Sequence, residues 1–156
     1  MLWLLVVVSV EIRLTDPAVS AEPEIVSVSK IWDRGTHNAF TDLIRFRHMW
    51  WCTFREAKEH GKSIGRVRVI VSSDGQQWES AARVAEDGVD LRDPKLSIMP
   101  HGRLMLIMGG SVYSPGGPYG TRAPRVSFSP DGHEWTAPRK LLAEDHWLWR
   151  VTWRGK

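Results

Sequence analysis

Two copies of one turn constrain this chain more than any other feature. Ser72-Ser73-Asp74-Gly75-Gln76-Gln77-Trp78 and Ser129-Pro130-Asp131-Gly132-His133-Glu134-Trp135 share the pattern Ser-x-Asp-Gly-x-x-Trp. Each follows a β-type run, Val67–Val71 and Arg125–Phe128. Glycine accepts a positive φ without steric cost and aspartate bonds its own turn, so Asp-Gly between strand-like runs is a strong hairpin signal. A motif that recurs at a fixed spacing also implies a repeated structural unit.

The unit is larger than the turn. Leu43–Phe46, a polar break at Arg47-His48 and Trp50–Phe54 read as a hairpin. Leu96–Met99, a break at Pro100-His101-Gly102 and Leu104–Met108 read the same way, and Trp147–Trp153 followed by Arg154-Gly155 starts a third copy. A fourth strand follows each turn, near Ala81–Val84 and Arg139–Leu142. Four antiparallel strands repeated at about fifty to sixty residues predict β-propeller blades. No long window carries a 3.6-residue apolar period, and Arg55–His60, though helix-forming in composition, is too short to stand alone as a helix. The fold class expected is therefore all-β, with about two four-stranded blades plus the first strand of a third.

The repeated turn resembles the Asp-box (BNR repeat) of sialidases and related propellers, whose pattern is Ser-x-Asp-x-Gly-x-Thr-Trp. Here the residue between Asp and Gly is missing, and Gln77 or Glu134 stands where Thr is usual. The resemblance runs from about Ile31 to the end of the chain. Asn38-Ala39-Phe40-Thr41-Asp42, Phe54-Arg55-Glu56 and Asp90-Leu91-Arg92-Asp93-Pro94-Lys95 are also similar to proteins of the bacterial exo-sialidase type. The resemblance implies a glycoside hydrolase acting on an acidic sugar such as sialic acid. It also implies a six-bladed ring, so the expectation is an incomplete and inactive N-terminal portion. The strand expected at Glu24–Lys30 would then belong to a last blade, and self-association is an alternative way to close the ring. A second reading is a non-catalytic Asp-box propeller that binds glycans or proteins, because the turn reports a fold and not an activity.

Strand direction alternates within a blade, so the breaks at Arg47-His48 and Pro100-His101-Gly102 share one edge with the Asp-Gly turns. The opposite edge collects His37, Asn38, Asp42, Arg55, Glu56, Asp90, Arg92, Asp93, Trp149 and Arg150. This places Ser72, Asp74, Gly75, Trp78, Ser129, Asp131, Gly132 and Trp135 in a structural role, away from the chemistry. Arginine offers a planar fork of donors that matches a carboxylate. By the sialidase analogy, Arg55, Arg92 and Arg150 are candidate carboxylate binders, with Glu56 and His37 beside them. Asp42 and Asp93 are candidate acid/base groups. The bland alternative is that Arg55–Glu56 and Arg92–Asp93 make local ion pairs. Sialidases use a tyrosine nucleophile from a late blade. Tyr113 and Tyr119 fall in a Gly/Pro-rich loop, Gly109–Gly120, and do not inherit that role; they are candidates for sugar stacking.

The remaining features narrow the partner classes. A net charge of +3 with mixed signs and no basic run between aromatics argues against nucleic-acid binding. The six histidines show no metal-ligand spacing, so no metal and no cofactor is expected. His48, His101 and His133 fall in predicted turns. Most of the nine tryptophans are expected to pack between blades, and the single Cys52 to be a small buried apolar residue. Leu2–Val10 is too short for a bilayer span, and Val19-Ser20-Ala21 ends it like a signal peptide, although no positive n-region precedes it and Glu11, Arg13 and Asp16 interrupt it. Residues 1–21 are therefore expected to be a signal peptide of a secreted or periplasmic protein, and 22–156 the partial propeller domain.

Overall fold

A computed structural model of the chain describes residues 23–114 and 119–154. The expected signal peptide lies outside these residues. Eight strands form, and among the described residues there is no helix: β1 His37–Phe46, β2 Met49–Ala57, β3 Arg66–Ser72, β4 Glu79–Val84, β5 Asp90–Ile98, β6 Leu104–Tyr113, β7 Tyr119–Ser129 and β8 Arg139–Lys140. They make two four-stranded antiparallel sheets in simple sequence order, β1-β2-β3-β4 and β5-β6-β7-β8. The all-β expectation and the four-strand unit hold for both copies.

Side-chain alternation builds the core. Val67, Val69 and Val71 of β3 and Leu104, Leu106 and Met108 of β6 share one core cluster, with Phe46, Trp51, Leu91 and Leu96. Burying each such side chain stabilises the fold by roughly 1.5–3 kcal/mol. The alternate residues are buried on the outer faces. Cys52, Phe54 and Ile70 lie under Ile31, Trp32 and Trp78, while Met105, Ile107 and Val126 lie under Leu148 and Val151. Cys52 is buried as expected, and burial pushes its thiol up to about 11.

Polar clasps join the sheets. Asp42 of β1 accepts the backbone N–H of Leu96 in β5 at 2.8 Å, and Lys95 donates to the Thr41 carbonyl at 3.1 Å. Arg125 of β7 bridges to Glu86, which follows β4, at 2.8 Å. The antiparallel order puts the 47–48 and 100–102 breaks and both Asp-Gly turns at one end of the sheets. The connections after β2, β4 and β6 lie at the other end.

The two repeated turns are built alike. Asp74 Oδ1 accepts the N–H groups of Gln76 and Gln77 at 2.8 and 2.9 Å, and Asp131 Oδ1 accepts those of His133 and Glu134 at 2.9 and 3.2 Å. Ser72 and Ser129 accept from the glycine N–H, and each Trp indole donates back to the glycine carbonyl. Backbone donors hold both aspartates below the usual carboxylate range.

Three expectations need correction. Trp147–Trp153 forms no strand; Trp147, Leu148 and Val151 instead cover the outer face of the second sheet. Glu24–Lys30 is also not a strand, and its Ile25, Val26 and Val28 are exposed. Gly109–Tyr113 is not loop but the end of β6, because Gly109 and Gly110 pair with Pro124 and Ala123 of β7, and Tyr119 opens β7. The glycine-rich composition concealed a strand over which a large ring has to pass. A Cβ on Gly109 would collide with the Trp147 ring. Arg55–Ala57 continues β2, and the break at Arg47-His48 is a two-residue turn with both φ positive, 49° and 64°.

Candidate functional site

The site begins with two bulges at equivalent places. The register of β1 against β2 shifts between Ala39 and Asp42, and that of β5 against β6 shifts between Arg92 and Lys95. Phe40 and Asp93 take the positive φ values that absorb the extra residue, 64° and 46°. Bulges re-aim side chains, and here the second one turns Arg92 and Asp93 into a cavity of about 500 Å³. Ser111 of β6, Arg122 of β7 and the segment carrying Asp145, His146, Trp147 and Trp149 complete its wall. That segment is anchored by the Asp145 N–H on the Arg122 carbonyl at 2.8 Å and by Trp147 over Gly109.

The cavity combines cationic, acidic and aromatic groups. The Arg92 guanidinium lies over the Phe40 ring, 5.3 Å from its centroid, and Arg122 also has contacts of its own within the protein. The Trp147 and Trp149 rings stand 6.3 Å apart at 59°. Ser111 Oγ and Trp147 Nε1 are buried without a hydrogen-bond partner. A buried unpaired polar atom costs about 1–3 kcal/mol, so a partner that enters the cavity and bonds it gains correspondingly. Burial pushes the Asp93 carboxyl up, against the nearby charges of Arg92, Lys95 and Arg55.

The expected site residues separate into distinct groups. Arg92, Asp93 and Trp149 line the cavity. Arg55 does not: it is fully buried and donates from Nε to Asp90 at 2.8 Å, from Nη1 to the Glu59 carbonyl and from Nη2 to the Ser63 carbonyl, each at 2.9 Å. Glu56 is tied to Arg68 at 2.7 Å and Arg66 at 3.3 Å. Its burial raises the carboxyl pKa, but the bonds and charges of Arg68 and Arg66 outweigh this and lower it. Asp42 and Arg150 are paired with each other at 2.5 Å, and Asp42 is already held by Leu96. His37 stands against His60, ring centroids 5.3 Å apart, with its Nδ1 buried and unpartnered. None of Arg55, Glu56, Asp42, Arg150 or His37 lines the cavity.

Two features escape the sequence reading. Arg122 follows a stretch that reads as loop, and only the β6–β7 register brings it to the cavity beside Arg92. Asp90 stands on the expected edge, but nothing local shows how completely it is enclosed. It is fully buried and accepts Arg55, the Gly65 N–H at 2.8 Å and the Tyr113 hydroxyl at 2.6 Å. The Tyr113 phenol is pushed up first by burial and then by its bond to Asp90, so it remains a donor.

The raised Asp93 has a consequence for stability. An acid whose pKa is higher folded than unfolded binds more protons when folded, so its contribution is fully present below the unfolded pKa and is lost as pH rises through the folded one. Asp93→Asn removes this penalty, and Asn also tolerates the positive φ at the bulge. Urea titrations at several pH values are expected to show the variant more stable than the parent near neutral pH. The gap should narrow as the solution is acidified through the carboxylate range. A stability gain for Asp93→Asn that is equal at all pH values would contradict the assignment.

The chain matches no protein-family model and no curated protein. Among the described residues, no helix is long and apolar enough to cross a membrane.

Proposed function

We propose that the two sheets are neighbouring blades of a sialidase-type Asp-box propeller, and that the chain is a sialidase-like glycoside hydrolase, exo-acting on an acidic sugar such as sialic acid. The observation that carries this reading is the convergence of Arg92, Arg122, Asp93 and two indoles on one cavity. The two guanidiniums suit a sugar carboxylate, which accepts paired N–H bonds. Trp147 and Trp149 offer apolar faces to the sugar ring. Ser111 Oγ, buried and unpartnered, suits a hydroxyl of the same ligand. Asp93 takes the role of the general acid, since an upward-shifted carboxyl keeps its proton to higher pH.

One observation favours a second reading, a propeller that binds the sugar without cleaving it. The described phenol, Tyr113, is held as a donor to Asp90 and is in the wrong protonation state for a nucleophile. Release of sugar from a sialylated glycan separates the two readings; both require binding.

Binding is tested by calorimetric titration with N-acetylneuraminic acid. Charge-assisted bonds contribute about 1.5–3 kcal/mol each, so Arg92→Ala or Arg122→Ala should weaken binding by roughly 10- to 100-fold. Asp74→Ala, at the other end of the first sheet, should lower stability and leave the affinity of the folded protein unchanged. Equal affinity in parent and both arginine variants would overturn the proposal.

A further inference from the structure

We infer that Asp90 is a positioning residue for the cavity: its buried carboxylate sets Arg92 against an anionic ligand, and the Tyr113 hydroxyl fixes the carboxylate oxygen that does so. The inference rests on the reading of the cavity as an acidic-sugar site. Asp90 and Arg92 are two residues apart on β5, the spacing that turns side chains to the same side of a strand. The two oxygens of Asp90 have different tasks. Oδ1 accepts Arg55 Nε and the Gly65 N–H, both at 2.8 Å, and these groups belong to the first sheet and its β2–β3 connection. Oδ2 accepts the Tyr113 hydroxyl at 2.6 Å and lies 3.6 Å from Arg92 Nη1.

The charge balance of this cluster makes it more than a brace. Asp90 carries one negative charge between two guanidiniums, Arg55 and Arg92. Arg55 is fully buried and bound at close range, so it takes the larger share of that charge. Arg92 lies at the longer distance from Asp90, with the Asp93 charge and the Tyr113 hydroxyl also close to it, and it lines the cavity where an anion would meet it. Tyr113 reinforces this arrangement. Its hydroxyl donates to Oδ2 and also bonds the Arg92 side chain, so it ties the carboxylate and the guanidinium together. The Arg92 guanidinium also lies over the Phe40 ring, a cation–π contact that adds to its anchoring.

The experiment compares N-acetylneuraminic acid with its uncharged methyl ester on the full chain. The parent, Asp90→Asn and Tyr113→Phe are each titrated calorimetrically, with circular dichroism to establish that each variant is folded. Tyr113→Phe removes one hydroxyl and leaves the Arg55–Asp90 pair intact, so it keeps the test open if Asp90→Asn does not fold. Loss of one charge-assisted bond predicts that Tyr113→Phe weakens binding of the acid by about 3- to 10-fold with little change for the ester. Asp90→Asn should reduce the acid-to-ester preference further. A preference equal to the parent's in the folded variants overturns the positioning role and leaves the acidic-sugar reading standing. An equal loss for acid and ester also overturns it, since that is the signature of a purely structural residue. A parent that does not bind the acid overturns the acidic-sugar reading and this inference together.

Discussion

Arg55→Ala should remove about 3–5 kcal/mol of folding stability. The guanidinium is fully buried and meets Asp90 and two backbone carbonyls. Truncation leaves Asp90 buried with its principal counter-charge gone, and strands the Glu59 and Ser63 carbonyls. The pair also joins the two sheets, since Arg55 lies on β2 and Asp90 opens β5. The loss therefore reflects an uncompensated charge rather than the intrinsic strength of the pair. Replacing both partners, as in Arg55→Met with Asp90→Leu, should cost less than the sum of the single changes. Urea unfolding of the two single variants and the double variant measures the coupling. Additive losses would show that the two groups do not act as a unit.

The second large effect distinguishes the two repeated turns from each other. Gly75 and Gly132 occupy the same place in the motif and both have positive φ, 76° and 93°. Conformation alone predicts a similar cost of about 1–2 kcal/mol for Ala at either position. Their surroundings differ. A Cβ at Gly75 would lie 3.7 Å from the Trp50 ring, an ordinary contact. A Cβ at Gly132 would overlap the Trp51 ring. Trp51 belongs to the first sheet and is buried in the main core, with its indole bonded to the Phe46 carbonyl. It cannot give way without disturbing that core, so overpacking adds roughly 1–3 kcal/mol at Gly132. Gly132→Ala should thus lower the unfolding free energy clearly more than Gly75→Ala, read from denaturant midpoints at unchanged slope. Equal losses would place the second turn away from Trp51.

Asp74 and Asp131 are legible in the sequence because each makes its bonds within a few residues, and local chemistry of that kind survives any tertiary context. The strands are legible for a related reason: Leu104–Met108 is buried on both faces and reads as a continuous apolar run, and Val67–Val71 is interrupted only by Arg68. Contacts between distant segments are not legible. Nothing in the order of residues says that Arg55 is enclosed by Asp90, Glu59 and Ser63, and so its fork looks available to a ligand. Asp42 and Arg150 look like separate site groups, yet they bond each other. Arg122 stays hidden because Gly-rich composition conceals the β6–β7 pairing. Trp147–Trp153 has strand-forming residues, but the outer face of Met105, Ile107 and Val126 draws Leu148 and Val151 onto it without a strand forming. Of the expected cavity groups, Arg92 and Asp93 follow from Arg-Asp-Pro-Lys, while the bulge that aims them does not.

If the cavity around Arg92 and Arg122 holds an acidic sugar by its carboxylate, a crystal structure of the chain with N-acetylneuraminic acid should show it there. The sugar carboxylate should lie within hydrogen-bond distance of both guanidiniums, with the ring against Trp147 or Trp149 and a hydroxyl reaching Ser111 Oγ. A sugar bound elsewhere, or one whose carboxylate points away from both arginines, would contradict that reading.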